Sequence, residues 1–184
     1  MIKRLVQGVG LLLVAPAAVL CGFGRVRSLF TIFAHLYSQA PGIIGDYLRI
    51  GFYRLTLEEC SLDSRISFGS FFAHPEARLA EGVYIGSYCV LGRVHIGART
   101  QIASAVQVLS GKHQHARDAE GRISGSDQGL FTTVSIGADC WIGAAAIVMA
   151  DIADHVTIGA GAIVTKPIPE NSVAVGNPAR VLPA

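Results

Sequence analysis

Residues 136–164 read "IGADCWIGAAAIVMADIADHVTIGAGAIV". An aliphatic residue stands at 136, 142, 148, 152, 158 and 164, commonly followed by glycine or another small residue, and all but one of the steps are six. The same pattern, with Phe72 in place of an aliphatic residue, runs upstream through 66, 72, 79, 85, 91, 96, 102 and 108, with a step of seven at 72–79 and of five at 91–96. Four positions after most of these comes a small or β-branched residue: Ser70, Val83, Cys89, Thr100, Val106, Cys140, Ala146, Val156 and Ala162. A period of six fits neither a packed helix nor an ordinary sandwich strand. It describes stacked units, each burying its apolar face only against its neighbours.

Within a hexad the aliphatic residue is expected to point inward at the start of a short strand. The small residue two places before the next aliphatic one leaves room for it. Glycine is expected at the corner, where a positive φ is needed. Three hexads close one triangular coil of about eighteen residues, and the steps of four, five and seven must distort corners without breaking the stack. Cys89 and Cys140 fall on small inward positions and read as packing residues. The architecture is therefore a β-solenoid. The period by itself names no reaction.

Composition narrows the classes further. The chain has 184 residues, a net charge of +2, 51% hydrophobic and 15% charged residues. There is no basic stripe interleaved with aromatics, so no nucleic-acid footprint. The four cysteines, at 21, 60, 89 and 140, form no CxxC pair and suggest neither a zinc site nor a disulfide frame, which fits a reducing compartment.

Residues 5–24, "LVQGVGLLLVAPAAVLCGFG", carry no charge and lie between Lys3-Arg4 and Arg25 with Arg27. Twenty helical residues at ~1.5 Å rise match a bilayer core of about 30 Å. Four readings stand side by side: a cleaved signal peptide, a spanning helix, a helix buried in a larger assembly, and a segment broken near Pro16 or at Gly22-Gly24. The last would return through "LFTIFAHLY" (29–37). Residues 41–59 read either as an interfacial helix with Arg49 and Arg54 at headgroup depth or as a helix packed on the next domain. The division is a helical, membrane-associating region over 1–59 and a solenoid domain over 60–184.

The hexads stop near Val108 and resume near Val134. Between them lies "LSGKHQHARDAEGRISGSDQGLFTT" (109–133), far longer than a corner turn, and such an excursion from a compact repeat is usually functional or disordered. Its opening holds two of the six histidines, His113 and His115, beside a rigid scaffold that can aim a side chain.

These features together resemble a family. The hexads are similar to those of the left-handed parallel β-helix of hexapeptide-repeat transferases. The run "GKHQH" (111–115), "IGADCWIG" (136–143), "GAGAIVTKPIP" (159–169) and "GNPARVL" (176–182) resembles, in the same order, the motifs of galactoside- and maltose-type sugar O-acetyltransferases. The resemblance covers roughly residues 79–182. It implies an all-β, left-handed solenoid, an acetyl-CoA co-substrate without a metal, a homotrimer with sites at subunit seams, and a sugar acceptor. His113 matches the catalytic base, and neutral imidazole suits the removal of a hydroxyl proton near pH 7. His115 and Trp141 match neighbouring or acceptor-contacting positions. Ala144, Ala160, Thr165, Lys166 and Arg180 match acetyl-CoA-binding positions, the two cations facing phosphate charge.

The acceptor-binding asparagine and aspartate of that family have no evident match, so the acceptor is open. The apolar amino terminus directs the expectation to a lipid-linked saccharide or growing surface polysaccharide, with the enzyme membrane-associated and facing the cytoplasm. Transfer to an amino sugar or amino acid, a carbonic-anhydrase-like zinc site drawing on His95, His113 and His115, and a non-catalytic scaffold are the competing readings.

Overall fold

The computed structural model describes residues 2–111, 115, 117–123 and 131–183. Three helices, α1 (Ile2–Leu20), α2 (Arg27–Ser38) and α3 (Gly42–Thr56), precede a parallel β-solenoid of about six coils with three faces. The first face stacks Glu59–Cys60, Arg78–Leu79, Val94–Ile96 and Val134–Ile136, continued by bridges through Ile152 and Ile168. The second stacks Arg65–Ile66, Tyr84–Ile85, Gln101–Ile102, Trp141–Ile142, Thr157–Ile158 and Val173–Val175, with Arg180–Val181 returning antiparallel at its end. The third stacks Phe71–Phe72, Val90–Leu91, Gln107–Val108, Ile147–Val148 and Ile163–Val164.

Every aliphatic residue of the hexad series is buried, as is every small residue four places later. Hydroxyls at those small positions are satisfied inside the stack. Ser70 Oγ donates to Gly86 O at 2.6 Å and accepts from Cys89 N–H at 2.8 Å; Thr100 Oγ1 bonds Gly137 O and Cys140 N–H in the same way. Burial raises the Cys89 and Cys140 thiols and pushes Cys60 up to about 12, so these cysteines are core residues and poor nucleophiles.

The coils are not uniformly eighteen residues. Ile66 pairs with Ile85, Ile85 with Ile102, Ile142 with Ile158, and Ile158 with Ala174, giving coils of 19, 17, 16 and 16. All the variation falls at one corner. Steps from the first face to the second, and from the second to the third, are six. The steps of seven, five and four, and the insertion at 109–133, all lie between the third face and the first.

Backbone conformation supplies the reason. The two regular corners each place a residue with positive φ three positions after the inward aliphatic one: Gly82, Arg99, Asp139, His155 and Asn171 at one, Gly69, Tyr88, Ala105, Ala145 and Gly161 at the other. Among the described residues the third corner has positive φ only within its insertion, at Gly111 and Gly121, and none at its shorter passes. It is therefore not held to one length.

This corrects the expected role of the hexad glycines. Gly86, Gly97 and Gly143 do not have positive φ. They sit where the next coil comes closest: a Cβ on Gly86 would lie 2.6 Å from Ala103 C, and one on Gly143 within 2.7 Å of Gly159 C. They are small to let coils touch, and the turn itself falls two residues later.

The helices close the amino-terminal end of the solenoid. Pro16 does not break α1, and the chain reverses at residues 21–26 through Gly22, Phe23 and Gly24, all with positive φ. α1 crosses α3 where Gly10 meets Gly51, whose absent side chains allow backbone-to-backbone approach. Arg49 is fully buried. Its guanidinium donates to the carbonyls of Ile66 (2.8 Å), Tyr37 (3.0 Å), Ser38 (3.3 Å) and Ala40 (2.7 Å) and to Asp46 Oδ1 (2.7 Å). Tyr53 accepts the Phe72 N–H on its hydroxyl at 3.1 Å. Arg49 is thus no headgroup contact: α3 is the packed alternative, clasping the first coil, while Arg54 remains outside the core.

Candidate functional site

The insertion leaves from a firmly held root. Leu109 N–H bonds Val148 O at 2.9 Å, Ser110 Oγ accepts from Arg93 N–H at 2.9 Å, and Thr132 N–H closes the stem on Ser110 O at 3.0 Å. Further out, Arg117 and Ile123 form an antiparallel bridge around a turn in which Asp118 Oδ1 accepts from the N–H groups of Glu120 and Arg122. His115 is exposed. His113 lies outside the described residues.

Beneath the root is a polar cluster that the sequence reading passed over. The Phe131 ring, on the returning limb of the insertion, lies 5.3 Å from the His74 ring and under the Arg93 guanidinium at 5.5 Å. Glu76 binds Arg27 of α2 and stands 4.0 Å from Arg93. Burial, with help from Arg93, holds the His74 imidazole below its usual value, while Glu76 opposes them. A signal for this cluster was present: His74 sits in the one step of seven, where an extra residue must bulge from the stack.

The remaining candidates separate by corner and face. Thr165 and Lys166 follow Ile163–Val164 and so occupy the same corner as the insertion, two coils further on. At ~4.8 Å per coil that is about 10 Å. Thr165 is half-buried and Lys166 exposed. Ala144 and Ala160 are stacked at the second-to-third corner, joined through Gly161 N–H to Ala144 O at 2.8 Å, and both are exposed. Between these two corners lies the outer surface of the third face, whose outward residues Phe71, Val90, Gln107, Ile147 and Ile163 are half-buried. The carboxyl-terminal turn folds onto the end of this face, with Ala179 N–H donating to Ile163 O at 2.8 Å, and leaves Arg180 exposed.

Trp141 is 52% exposed on the second face, between Gln101 and Thr157. That face is opposite the corner bearing the insertion. One chain does not bring Trp141 to the root of the insertion. His95 projects from the first face, half-buried, opposite Arg78 and Ser135. Among the described residues no three His, Cys, Asp or Glu side chains are gathered as a metal site would need.

No family model matches the chain. A protein of Schizosaccharomyces pombe provisionally named an acetyltransferase is 38% identical over 89 residues, 47% of this chain and 41% of that protein. Nodulation protein L of Rhizobium leguminosarum bv. viciae is 44% identical over 109 residues, 56% of this chain and 55% of that protein. The chain thus spans about half the length of the curated relatives it matches. Among solved structures, a maltose O-acetyltransferase from Clostridium difficile 630 is similar with a TM-score of 0.68 and 25% identity, covering 87% of this chain and 86% of that one. The solenoid alone does not fill so large a share, so the likeness reaches into the helices. In its coils, and by these likenesses, the chain is similar to the hexapeptide-repeat acetyltransferases.

Proposed function

We propose that the chain transfers an acetyl group from acetyl-CoA to a sugar hydroxyl, with His113 as general base. The observation that carries this reading is the single long insertion, rooted by three backbone and hydroxyl bonds at the same corner as Lys166. A polar, histidine-bearing loop and a cation that meets CoA phosphates then share one edge of the solenoid. The hydroxyl proton passes to the imidazole as the oxygen attacks the thioester carbonyl. The tetrahedral oxyanion collapses, the C–S bond breaks, and the imidazolium returns the proton to the departing thiolate. General-base assistance of this kind contributes ~10²–10⁴-fold, and a backbone N–H meeting the oxyanion needs no reorganisation.

The division of residues between faces supports a seam between two copies. The insertion with Lys166 stands on one edge, and Trp141 with Ala144 and Ala160 on another. In a threefold assembly one copy would supply the loop and its neighbour the Trp141 surface. The acceptor in this reading is a saccharide at the cytoplasmic side of a membrane, a lipid-linked sugar or surface polysaccharide, which the apolar outer side of α1 favours.

The test is acetyl-CoA turnover against a panel of free sugars, lipid-linked sugars and amine acceptors. The expected result is O-acetylation of a saccharide that falls ~10²–10⁴-fold in His113→Ala while acetyl-CoA still binds. Full activity in His113→Ala, with loss in His115→Ala, would reassign the base. Turnover on amines alone would replace O-transfer by N-transfer.

A further inference from the structure

α1 has two apolar sides. Its inner positions, Gln7, Gly10, Val14, Ala17 and Ala18, are buried against the rest of the chain. A surface helix presents polar residues on the opposite side. Here the outer positions 5, 6, 9, 12, 13, 16, 19 and 20 are Leu, Val, Val, Leu, Leu, Pro, Val and Leu, all exposed. Leu12 is 75% and Leu5 70% exposed. An open apolar groove lined by Leu5, Val9, Leu11, Leu12, Ala15 and Leu55 runs beside this surface.

Charge identifies what covers it. Residues 1–45 contain no Asp or Glu, and Lys3, Arg4, Arg25 and Arg27 stand at the two ends of α1. Lys3 pairs with Asp63 and Arg27 with Glu76, while Arg4 and Arg25 make no ion pair among the described residues. A second copy packed antiparallel on this side would set cation against cation. An anionic lipid surface meets both the apolar side and the basic ends.

The fold also fixes the attitude of the helix. Lys3 Nζ bonds Asp63 at 2.9 Å and Gln7 Nε2 bonds Leu62 O at 2.8 Å, tying the start of α1 to one corner of the first coil. The turn after α1 is wedged against Thr56 O and Pro75, at another corner of the same coil. Upright insertion would drag α3 and that coil, with Asp46, Asp63 and Arg65, into hydrocarbon. We infer that α1 is an in-plane anchor: its outer side lies in the interface of an anionic phospholipid bilayer, both ends on the same side, without crossing it. The inference does not rest on the proposed reaction.

The test is flotation of the full chain with phosphatidylcholine vesicles, with and without one third phosphatidylglycerol. Binding is expected to require the anionic lipid. The double change Leu12→Glu and Leu13→Glu, at exposed positions that leave the core intact, should lower partitioning at least tenfold with unchanged circular dichroism and CoA binding. Arg4→Glu with Arg25→Glu should abolish the preference for anionic vesicles. Cysteines placed singly by Arg4→Cys and Arg25→Cys should both react with an impermeant maleimide added outside. Labelling of only one before vesicle lysis would mean a span and overturn the in-plane anchor. Absence of flotation, or a particle mass that the double glutamate change halves without any vesicle binding, would assign the face to protein and overturn the lipid.

Discussion

Three substitutions on neighbouring coils separate the two demands that a hexad makes on small residues. Gly143 has an ordinary φ but no room: a Cβ there would press on Ala160 N and come within 2.7 Å of Gly159 C and Ile158 O. These are backbone atoms of the next coil, so relief requires the coils to part. Overpacking of this kind costs about 1–3 kcal/mol, offset by about 0.4–1 kcal/mol from a stiffer unfolded chain. Gly143→Ala should therefore lose ~1–2 kcal/mol. Gly161 is the converse, with φ of +69° and nothing within 4 Å of its added Cβ. Left-handed backbone costs a non-glycine residue about 1–2 kcal/mol, so Gly161→Ala should lose ~0.5–1 kcal/mol after the same offset. Ala145, already held at φ of 58°, should gain about 0.5 kcal/mol on change to glycine by the same balance. Urea denaturation followed by circular dichroism gives the three midpoints, and the melting temperature should move ~2–4 °C per kcal/mol for a chain of this size. A Gly143→Ala protein as stable as the parent would refute coil contact as the reason for that glycine. A stabilised Gly161→Ala would refute the turn argument.

Lys166→Ala and Arg180→Ala should each weaken acetyl-CoA binding by about 1.5–3 kcal/mol, measured by calorimetry, and far less with a donor lacking the 3′-phosphate nucleotide; equal losses on both donors would remove the phosphate assignment. Arg49→Met should cost ~2–4 kcal/mol in urea midpoint, because it removes five hydrogen bonds at the joint between helices and first coil, although Asp46 keeps Arg65 and Ser38 O keeps the Gly69 N–H; a loss under 1 kcal/mol would make the clasp ornamental. His74 is held below its usual value by burial first and Arg93 second, so the unfolded chain binds its proton more readily. Its contribution is then present above the unfolded value of about 6.5 and is lost as pH falls through it. Stability should drop between about pH 7 and 5, and His74→Gln should flatten that drop; an unchanged slope would remove His74 from the balance.

The period of six was enough, by itself, to fix a stacked solenoid, its inward residues and the structural role of Cys89 and Cys140, because each hexad repeats one local solution and meets only its neighbours. The position of the insertion was equally plain, since the repeat stops at Val108 and resumes at Val134. Counting the irregular steps by threes would also have placed them all at one corner. Other features depended on which parts of the chain fold back against each other. The glycine after each aliphatic residue looks the same in sequence whether it serves a turn or a contact, and only the distance to the next coil distinguishes them. Arg49 reads as a solvated cation until carbonyls from α2, the loop before α3 and the first coil converge on it. Trp141 and the root of the insertion are close in the motif order, yet the triangular section places them on opposite sides. The apolar run at 5–20 fits burial and lipid contact alike; packing α1 on α3 covers one side and leaves the other bare, a division that hydropathy along a line does not contain.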